Sequence, residues 1–566
     1  MEKQASFLRR RWVRWTGGGF LAAVGVTAIV VSVLLHRAEP FLRARIVAAL
    51  EQHFHARVEL DSFHMSLLDG LRAEGKGLRI WPPDGMQSAT IPGAARAETP
   101  LIQLAEFRFH APLRYRPGAP IHISVIELKG LEIDLPPRAR FHPPAIPASF
   151  TPSSMSAPTP VVLPGAGFVQ FQVDSVECAD ARLTLETDKP GKLPLMFTIA
   201  QLKLAGPGPG RSLGLGGAMD FAAELTNPRP VGIIHTTGRF GPWVVRDPGE
   251  SALAGQYRFE HADLSGFRGI AGMLRSTGRY QGTLRDMVVD GETDTPDFRL
   301  THFGNPMPLH TQFHALVDAT NGDTRLEPVE ATLGQSHFTA RGQIVRQMPD
   351  AGQPGGHSIT LAVNVDHGRM EDFLRLASRS QTPLLTGVLN MQADLAIPPG
   401  PVPVVERLKL NGKFLLDQAQ FTSPKIQDRI EELSLRGQGR PGDLKNPAAA
   451  DVRSTMQGDF QMAGGVVTMP HLVYTVPGAE IDLKGSYIVD GGRMNFAGRA
   501  KMRATVSQMV GGWKGLLLKP LDRYFSKDDA GTAVSIHVRG TRDDPDIGVD
   551  LKHLNTTHPQ SPAQTR

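Results

Sequence analysis

The sequence predicts a mainly β protein, in which an N-terminal transmembrane helix is followed by repeated antiparallel β-meanders and a few short helices. We expect the meanders to form a curved sheet or a hydrophobic trough. Three observations predict this fold class: an uncharged apolar run at residues 17–35, a period-two alternation of apolar and polar residues through most of the remaining chain, and a scarcity of helical patterns. The 59 Gly and 45 Pro residues are typical of many turns between short strands.

The apolar run is long enough to cross a bilayer as a helix. Its residues would extend about 28 Å at about 1.5 Å per residue, close to the hydrocarbon thickness of a membrane. Residues 1–16 carry five Lys and Arg side chains, which predicts a cytoplasmic N-terminus and a body on the far side of the membrane. A cleaved signal peptide is the alternative. The absence of a small-x-small site after Leu35 favours an uncleaved signal-anchor.

Composition shifts divide the chain into seven predicted regions. They are a cytoplasmic basic segment (1–16), the signal-anchor (17–35), an N-terminal helix and β region (36–135), a Pro/Ser-rich loop (136–167), middle β repeats (168–400), a C-terminal β region with an amphipathic helix at 506–525 (401–554), and a disordered tail (555–566). The helix at Glu39–Phe54 has two interpretations. It packs on the first strands, or it lies on the membrane surface.

The strands show one apolar and one polar face, and predicted helices are too few to cover the apolar one. In Arg493–Ala504, for example, Met494 and Phe496 alternate with Asn495. The predicted helices beyond the first are 264–274, 370–377, 426–433 and 506–525. The apolar face therefore either folds onto itself as a sandwich or barrel, or forms a trough that holds apolar ligand. The stretch 506–525 either caps the end of the sheet, or plugs the trough or touches a membrane.

Two sequence repeats predict tandem meanders. The apolar pattern at Ile123–Leu135 recurs at Val173–Leu185, and Val329–Val345 matches Leu472–Ile488 with Gly342 falling on Gly485. A further duplication is indicated by helix-then-strand patterns near 264–284 and 370–395.

The sequence offers no convincing active site, and we expect no enzyme, no cofactor and no metal ion. The 19 His residues are scattered without metal-ligand spacing, and the serine-hydrolase letters GRSLG around Ser212 lack the required strand-to-helix setting. Asp290, Asp294 and Asp297 lie close together, but a loop before a strand is the expected setting. The single cysteine, Cys178, excludes an internal disulfide and is expected to be a half-buried, inert thiol. No basic stripe indicates nucleic-acid binding.

Three regions resemble the AsmA family of bacterial envelope proteins. They are the anchor with the following EPFLRARIVAALEQHFHARVELDSFHMSLLDGLRAEGKGLRI, the middle stretch GETDTPDFRL to SHFTARGQIV, and the C-terminal run from VPGAEIDLKGSY to AGTAVSIHVRGTRDDPDIGVDLK. The resemblance implies an inner-membrane protein with a periplasmic body that takes part in outer-membrane biogenesis. Family members are thought to be related to bridge-like lipid carriers, in which curved sheets form a hydrophobic trough.

We therefore expect a protein held in the inner membrane through residues 17–35 that shields or conveys phospholipid along a hydrophobic β groove. The alternative is a scaffold or regulator of outer-membrane protein assembly and targeting that carries no lipid, with assembly proteins as partners. An envelope hydrolase with an unfamiliar site is a third hypothesis, which a deep polar cleft with converging acids and histidines would support.

Overall fold

The computed structural model describes residues between 39 and 550. Its gaps of five or more residues are 82–99, 112–120, 136–170, 186–194, 208–212, 245–249, 348–355, 446–453 and 511–532, and shorter gaps interrupt the rest. The expected anchor (17–35), the Pro/Ser-rich loop (136–167) and the tail (555–566) lie outside the described residues. Within the described part of the chain, no helix combines the length and the hydropathy needed to cross a membrane.

The described chain is mainly β, as predicted, and contains 24 strands. The strands are β1 (Val58–Ser66), β2 (Leu71–Ile80), β3 (Ile102–Ala111), β4 (Ile121–Leu135), β5 (Phe171–Leu185), β6 (Leu195–Ala205), β7 (Met219–Pro228), β8 (Val231–Phe240), β9 (Ala252–Asp263), β10 (Ile270–Ala271), β11 (Met273–Thr283), β12 (Met287–Leu300), β13 (Met307–Asp318), β14 (Asp323–Leu333), β15 (Ser336–Gln347), β16 (Gly356–Arg369), β17 (Leu385–Ile397), β18 (Lys409–Phe421), β19 (Thr455–Ala463), β20 (Val466–Val476), β21 (Ala479–Ile488), β22 (Arg493–Met502), β23 (Ala533–Thr541) and β24 (Pro545–Asp550).

Helices are few and short. Four described α-helices carry labels here: α1 (Met370–Leu376), α2 (Val404–Arg407), α3 (Pro424–Gly437) and α4 (Val506–Val510). Two 3-10 turns lie at Leu264–Gly266 and Pro441–Lys445. Further helical residues precede β1, at 39–40, 43–44, 46–48 and 50–52.

The chain forms two compact units. The first contains β1–β7, the second contains β12–β24, and the segment from β8 to β11 is divided between them. In the first unit the helical residues before β1 pack on the sheet, because Ile46 and Val47 contact the buried cluster of Leu60, Phe63 and Ala73. The backbone N–H of Met65 also donates to Glu39 Oε1 at 3.2 Å. These contacts support the interpretation in which the helix packs on the first strands.

The first sequence repeat is a parallel strand pair, which departs from the expectation of antiparallel meanders. Strands β1 to β4 and β5 to β7 pair antiparallel, but β4 and β5 run parallel, with Ile123 opposite Val173 and Leu135 opposite Leu185. Gly130 and Asp180 interrupt the two strands at matching positions, with φ of 63° and 56°. The two copies thus lie side by side in register.

The second sequence repeat corresponds to two equivalent hairpins in the second unit, where β12 to β24 form one antiparallel meander. In the β14–β15 hairpin the register shifts between Leu326 and Val329, and in β20–β21 it shifts between Met469 and Leu472. Gly342 and Gly485 occupy the same place in the two registers, opposite Leu326 and Met469. The sequence match therefore reflects the same bulged hairpin.

The short helices lie at the ends of these hairpins. In α1, Asp372 Oδ2 accepts from the backbone N–H of Gln335 at 3.0 Å and from Ser336 Oγ at 2.8 Å, at the β14–β15 turn. In α3, Ser434 Oγ donates to the carbonyl of Pro477 at 2.8 Å, at the β20–β21 turn. Each helix therefore covers one end of the sheet, where it fixes a tight turn.

The helix predictions had mixed outcomes. The helix at 370–377 is confirmed as α1, and 426–433 is confirmed within the longer α3. The helix at 264–274 is wrong, since only three residues form a 3-10 turn before strands β10 and β11. Gly269 and Gly272 there adopt φ of 109° and 139°, which no helix contains. In the stretch 506–525, α4 covers the first five residues, and 511–525 lies outside the described residues.

Candidate functional site

One face of the second unit's sheet is apolar on strand after strand. Residues that lie opposite each other on neighbouring strands form one level of the sheet, and their side chains stand beside each other on the same face. One such row is Phe338, Val365, Met391, Phe414, Gly458, Leu472, Leu483, Gly498 and Ile536, from β15 to β23. A parallel row, nearer the open end of the strands, includes Leu361, Leu395 and Leu410. We call this surface the apolar face.

The other face of the same strands is polar. Thr339, Asn364, Gln392, Lys413 and Asp459 stand beside one another there, and each is exposed to solvent. The period-two alternation in the sequence therefore places apolar side chains on one face of the sheet and polar side chains on the other.

Among the described residues, a helix seals one end of the apolar face. There, Ile426 and Ile430 of α3 join a buried cluster with Leu389 and Leu416, which are 2% and 0% exposed. One position further along the same strands, Met391 and Phe414 are only partly buried. Towards the open end Leu395 and Leu410 also remain partly exposed. Among the described residues, the helices thus cover a fraction of the apolar surface, and beyond them the side chains of the face border one another.

Glycines on the apolar face let aromatic rings lie against the backbone of the next strand. A Cβ added at Gly412 would lie 2.8 Å from Phe460 Cζ, and one added at Gly485 would lie 2.7 Å from Phe496 Cδ1. The first unit repeats the arrangement, with Phe107 over Gly75. The rings therefore lie close over the backbone at the glycine positions of neighbouring strands.

The first unit has a comparable apolar row, and Cys178 belongs to it. Phe107, Leu128, Cys178, Leu202 and Ala223 lie opposite one another on β3 to β7. Cys178 is 4% exposed and is not in a disulfide. Burial raises the pKa of its thiol, which disfavours the reactive thiolate. The thiol is more deeply buried than the expected half-buried setting, and it contributes to packing.

The clustered aspartates lie within strand β12, so the expected loop is wrong. The side chains of Asp290 and Asp294 face β13, where they pair with His314 Nδ1 at 2.8 Å and His310 Nδ1 at 2.7 Å. Asp297 Oδ1 instead accepts from the backbone N–H of Met273 at 2.7 Å. The hydrogen bond from His314 lowers the pKa of Asp290. These pairs are cross-strand contacts on the polar face.

A metal or catalytic constellation does not emerge from the described residues. Among them, no group of His, Cys, Asp and Glu is arranged to hold a metal ion. Ser212 of the GRSLG stretch lies outside the described residues, while the following Leu213 forms an isolated bridge with Val173.

Comparison with known proteins adds no assignment, because no protein-family model, no curated protein and no solved structure matches this chain. Most of the apolar face in the second unit is not covered by any other described element of the protein. We take it as the candidate functional site.

Proposed function

We propose that this chain is an inner-membrane-anchored, AsmA-like protein of the bacterial envelope that takes part in outer-membrane biogenesis. In this proposal the apolar face shields or conveys phospholipid, and residues 17–35 hold the protein in the inner membrane. The observation that carries the proposal is that the sheet has more apolar surface than the described helices cover. This surface is buried near Leu389 and Leu416 and partly exposed beyond them.

The dimensions of the face suit acyl chains. From β15 to β23 there are eight interstrand spacings of about 4.8 Å, so the face extends roughly 38 Å across the strands. One leaflet of a bilayer contributes about 15 Å of hydrocarbon, so several acyl chains would fit along the face. Each methylene moved out of water contributes about 0.8 kcal/mol, which makes such a surface a favourable site for lipid tails.

The electrostatic contrast between the two faces also supports the proposal. Apolar side chains gather on one side of β16 to β19, while the amide and charged side chains stand on the other. The sealed cluster beneath α3 instead suits the alternative, a scaffold or regulator of outer-membrane protein assembly without lipid.

Lipid bound to the full-length protein distinguishes these functions. We would purify wild type, Leu361→Asp and Ala362→Asp, and quantify co-purifying phospholipid per protein by mass spectrometry. Leu361 lies on the apolar face of β16, and its neighbour Ala362 lies exposed on the polar face. The proposal predicts that Leu361→Asp loses phospholipid relative to wild type, while Ala362→Asp retains it.

The control also corrects for lipid that surrounds the anchor, because all three proteins carry residues 17–35. Equal phospholipid content in all three proteins would contradict lipid binding on the apolar face. It would favour the scaffold function, which crosslinking to outer-membrane assembly proteins in cells would then test.

A further inference from the structure

A second concave site lies on the polar face of the second unit, opposite the apolar face. It is a cavity of about 600 Å³ that crosses β16, β17, β18, β19 and β20. Its polar lining includes Asn364, Asn390, Gln392, Lys413, Gln457 and Asp459. These side chains occupy two adjacent levels of the sheet, with Asn364, Gln392, Lys413 and Asp459 opposite one another at one level and Asn390 and Gln457 at the other. We call this cavity the polar groove.

The side chains of the polar groove are largely unused by the fold. Asn364, Gln392, Lys413, Gln457 and Asp459 make no side-chain hydrogen bond or ion pair with any other residue that the structure describes. Lys413 and Asp459 stand directly opposite each other, yet they are not an ion pair.

Elsewhere on the polar face, opposite charges on adjacent strands do pair. Lys501 Nζ lies 2.9 Å from Asp482 Oδ2, and Asp290 contacts His314 at 2.8 Å. In the polar groove Asn390 is fixed by a hydrogen bond of 3.0 Å from the backbone N–H of His367 to its Oδ1, and Asp366 Oδ1 pairs with His367 Nδ1 at 2.6 Å. The groove therefore concentrates polar groups whose hydrogen-bonding capacity remains available to a ligand.

The position of the groove excludes several classes of ligand. A peptide that adds a strand needs a free sheet edge, but β16 to β20 are each paired on both sides. A nucleic acid needs a cluster of cations, whereas the lining has one lysine and two aspartates, Asp366 and Asp459. Val365, Met391 and Phe414 also border the cavity, but strand alternation directs their side chains to the opposite face, so the groove itself presents mainly polar side chains to a ligand.

We propose that the polar groove binds an uncharged, linear oligosaccharide. Each of its four amides, at Asn364, Asn390, Gln392 and Gln457, carries both donor and acceptor groups, the combination that neighbouring sugar hydroxyls require. Leu415, which is 37% exposed in the groove, offers an apolar contact for sugar C–H groups.

The extent of the groove also suits a linear ligand. Its five strands span four spacings of about 4.8 Å, or roughly 19 Å, at right angles to the strand direction. The backbone positions of the binding groups are fixed by the pairing of the five strands, and their side chains order when the ligand binds. The groove and the apolar face are separate surfaces, and the saccharide site does not depend on lipid binding.

Calorimetry on the full-length protein tests the site, with maltohexaose, cellohexaose and hexa-N-acetylchitohexaose as probes. We expect at least one of them to bind. Gln392→Ala and Asn364→Ala, on different strands and both exposed, should each weaken that binding roughly tenfold, because each removes hydrogen bonds to the ligand. Thr360→Ala is the matched control, since Thr360 is exposed on the same face of β16 but lies outside the groove.

Thermal unfolding of each variant should match wild type, because these exposed side chains make no hydrogen bond or ion pair with any residue that the structure describes. Failure of all three probes to bind would overturn the proposal. Wild-type affinity in both groove variants, or an equal loss in Thr360→Ala, would overturn it as well.

Discussion

Gly412 shows how closely neighbouring strands approach each other on the apolar face. A Cβ at this position would lie 2.5 Å from the carbonyl oxygen of Gln392 and 2.8 Å from the ring of Phe460. Real side chains essentially never make such contacts, so the backbone itself would have to move. The glycine is thus required because the neighbouring strand and the ring of Phe460 both approach its Cα closely.

We predict that Gly412→Ala lowers the free energy of unfolding by about 1–3 kcal/mol, the usual cost of overpacking. Gly442→Ala is the control, since no atom lies within 4 Å of an added Cβ at that position. Chemical denaturation followed by circular dichroism measures both. Equal stability of the two variants would show that the strands near Gly412 are not packed as described.

The Asp290–His314 pair gives the polar face a pH-dependent contact. The hydrogen bond from His314 lowers the pKa of Asp290 below its ordinary value of 3.8. Because the pKa is lower in the folded protein, the pair contributes stability above about pH 4 and loses it as the pH falls through the folded pKa. His314→Gln should therefore raise the pKa of Asp290, measured by carboxylate NMR titration.

His337→Gln provides the comparison for that titration. His337 Nδ1 contacts Thr332 Oγ1 at 2.9 Å on the next hairpin, so its loss should leave Asp290 unchanged. A pKa of Asp290 that does not respond to His314→Gln would refute the pairing.

At the scale of the elements, helix α1 depends on one buried carboxylate. Asp372 is 3% exposed and accepts two hydrogen bonds from the β14–β15 turn, from the Gln335 N–H and the Ser336 hydroxyl. We predict that Asp372→Ala destabilises the fold by about 1–3 kcal/mol, since the Gln335 N–H would lose its acceptor and the buried Ser336 hydroxyl would keep only the Arg369 carbonyl at 3.4 Å. Differential scanning calorimetry would detect the lowered Tm.

The matched change Asp443→Ala removes an exposed carboxylate that pairs with Arg440 on the surface. Such a pair contributes at most about 1 kcal/mol, so its Tm should remain close to wild type. If Asp372→Ala and Asp443→Ala had the same Tm, the result would contradict the role of Asp372 in stabilising the β14–β15 turn.

The elements also show what the sequence could and could not predict. Alternation predicted the strands and their two faces, since burial follows period two, and α1 and α3 follow from their amphipathic patterns. Alternation carries no information on strand direction, so the parallel pairing of β4 with β5 was missed. The glycines at 269 and 272 outweighed the helical pattern at 264–274, and the aspartates of β12 were placed in a loop because polar residues on an exposed strand face resemble a turn.

At the scale of the second unit, the apolar face was predicted and the polar groove was not. The excess of apolar strand surface over helix follows from counting patterns along the chain. The groove depends instead on side chains from five strands, and only the pairing registers bring Asn364, Gln392 and Asp459 together. None of these residues forms a motif in the linear sequence. The site therefore required the three-dimensional arrangement.

The apolar face accounts for lipid binding only if lipid contacts that face and not the other. The most direct measurement is photo-crosslinking in living cells, with benzoylphenylalanine placed at Phe496 or at its neighbour Asn495 in the full-length protein. Phe496 lies half-buried on the apolar face of β22, whereas Asn495 is exposed on the opposite face. We predict that the probe at Phe496 captures phospholipid and that the probe at Asn495 does not. Equal capture at both positions, or none at Phe496, would contradict the account.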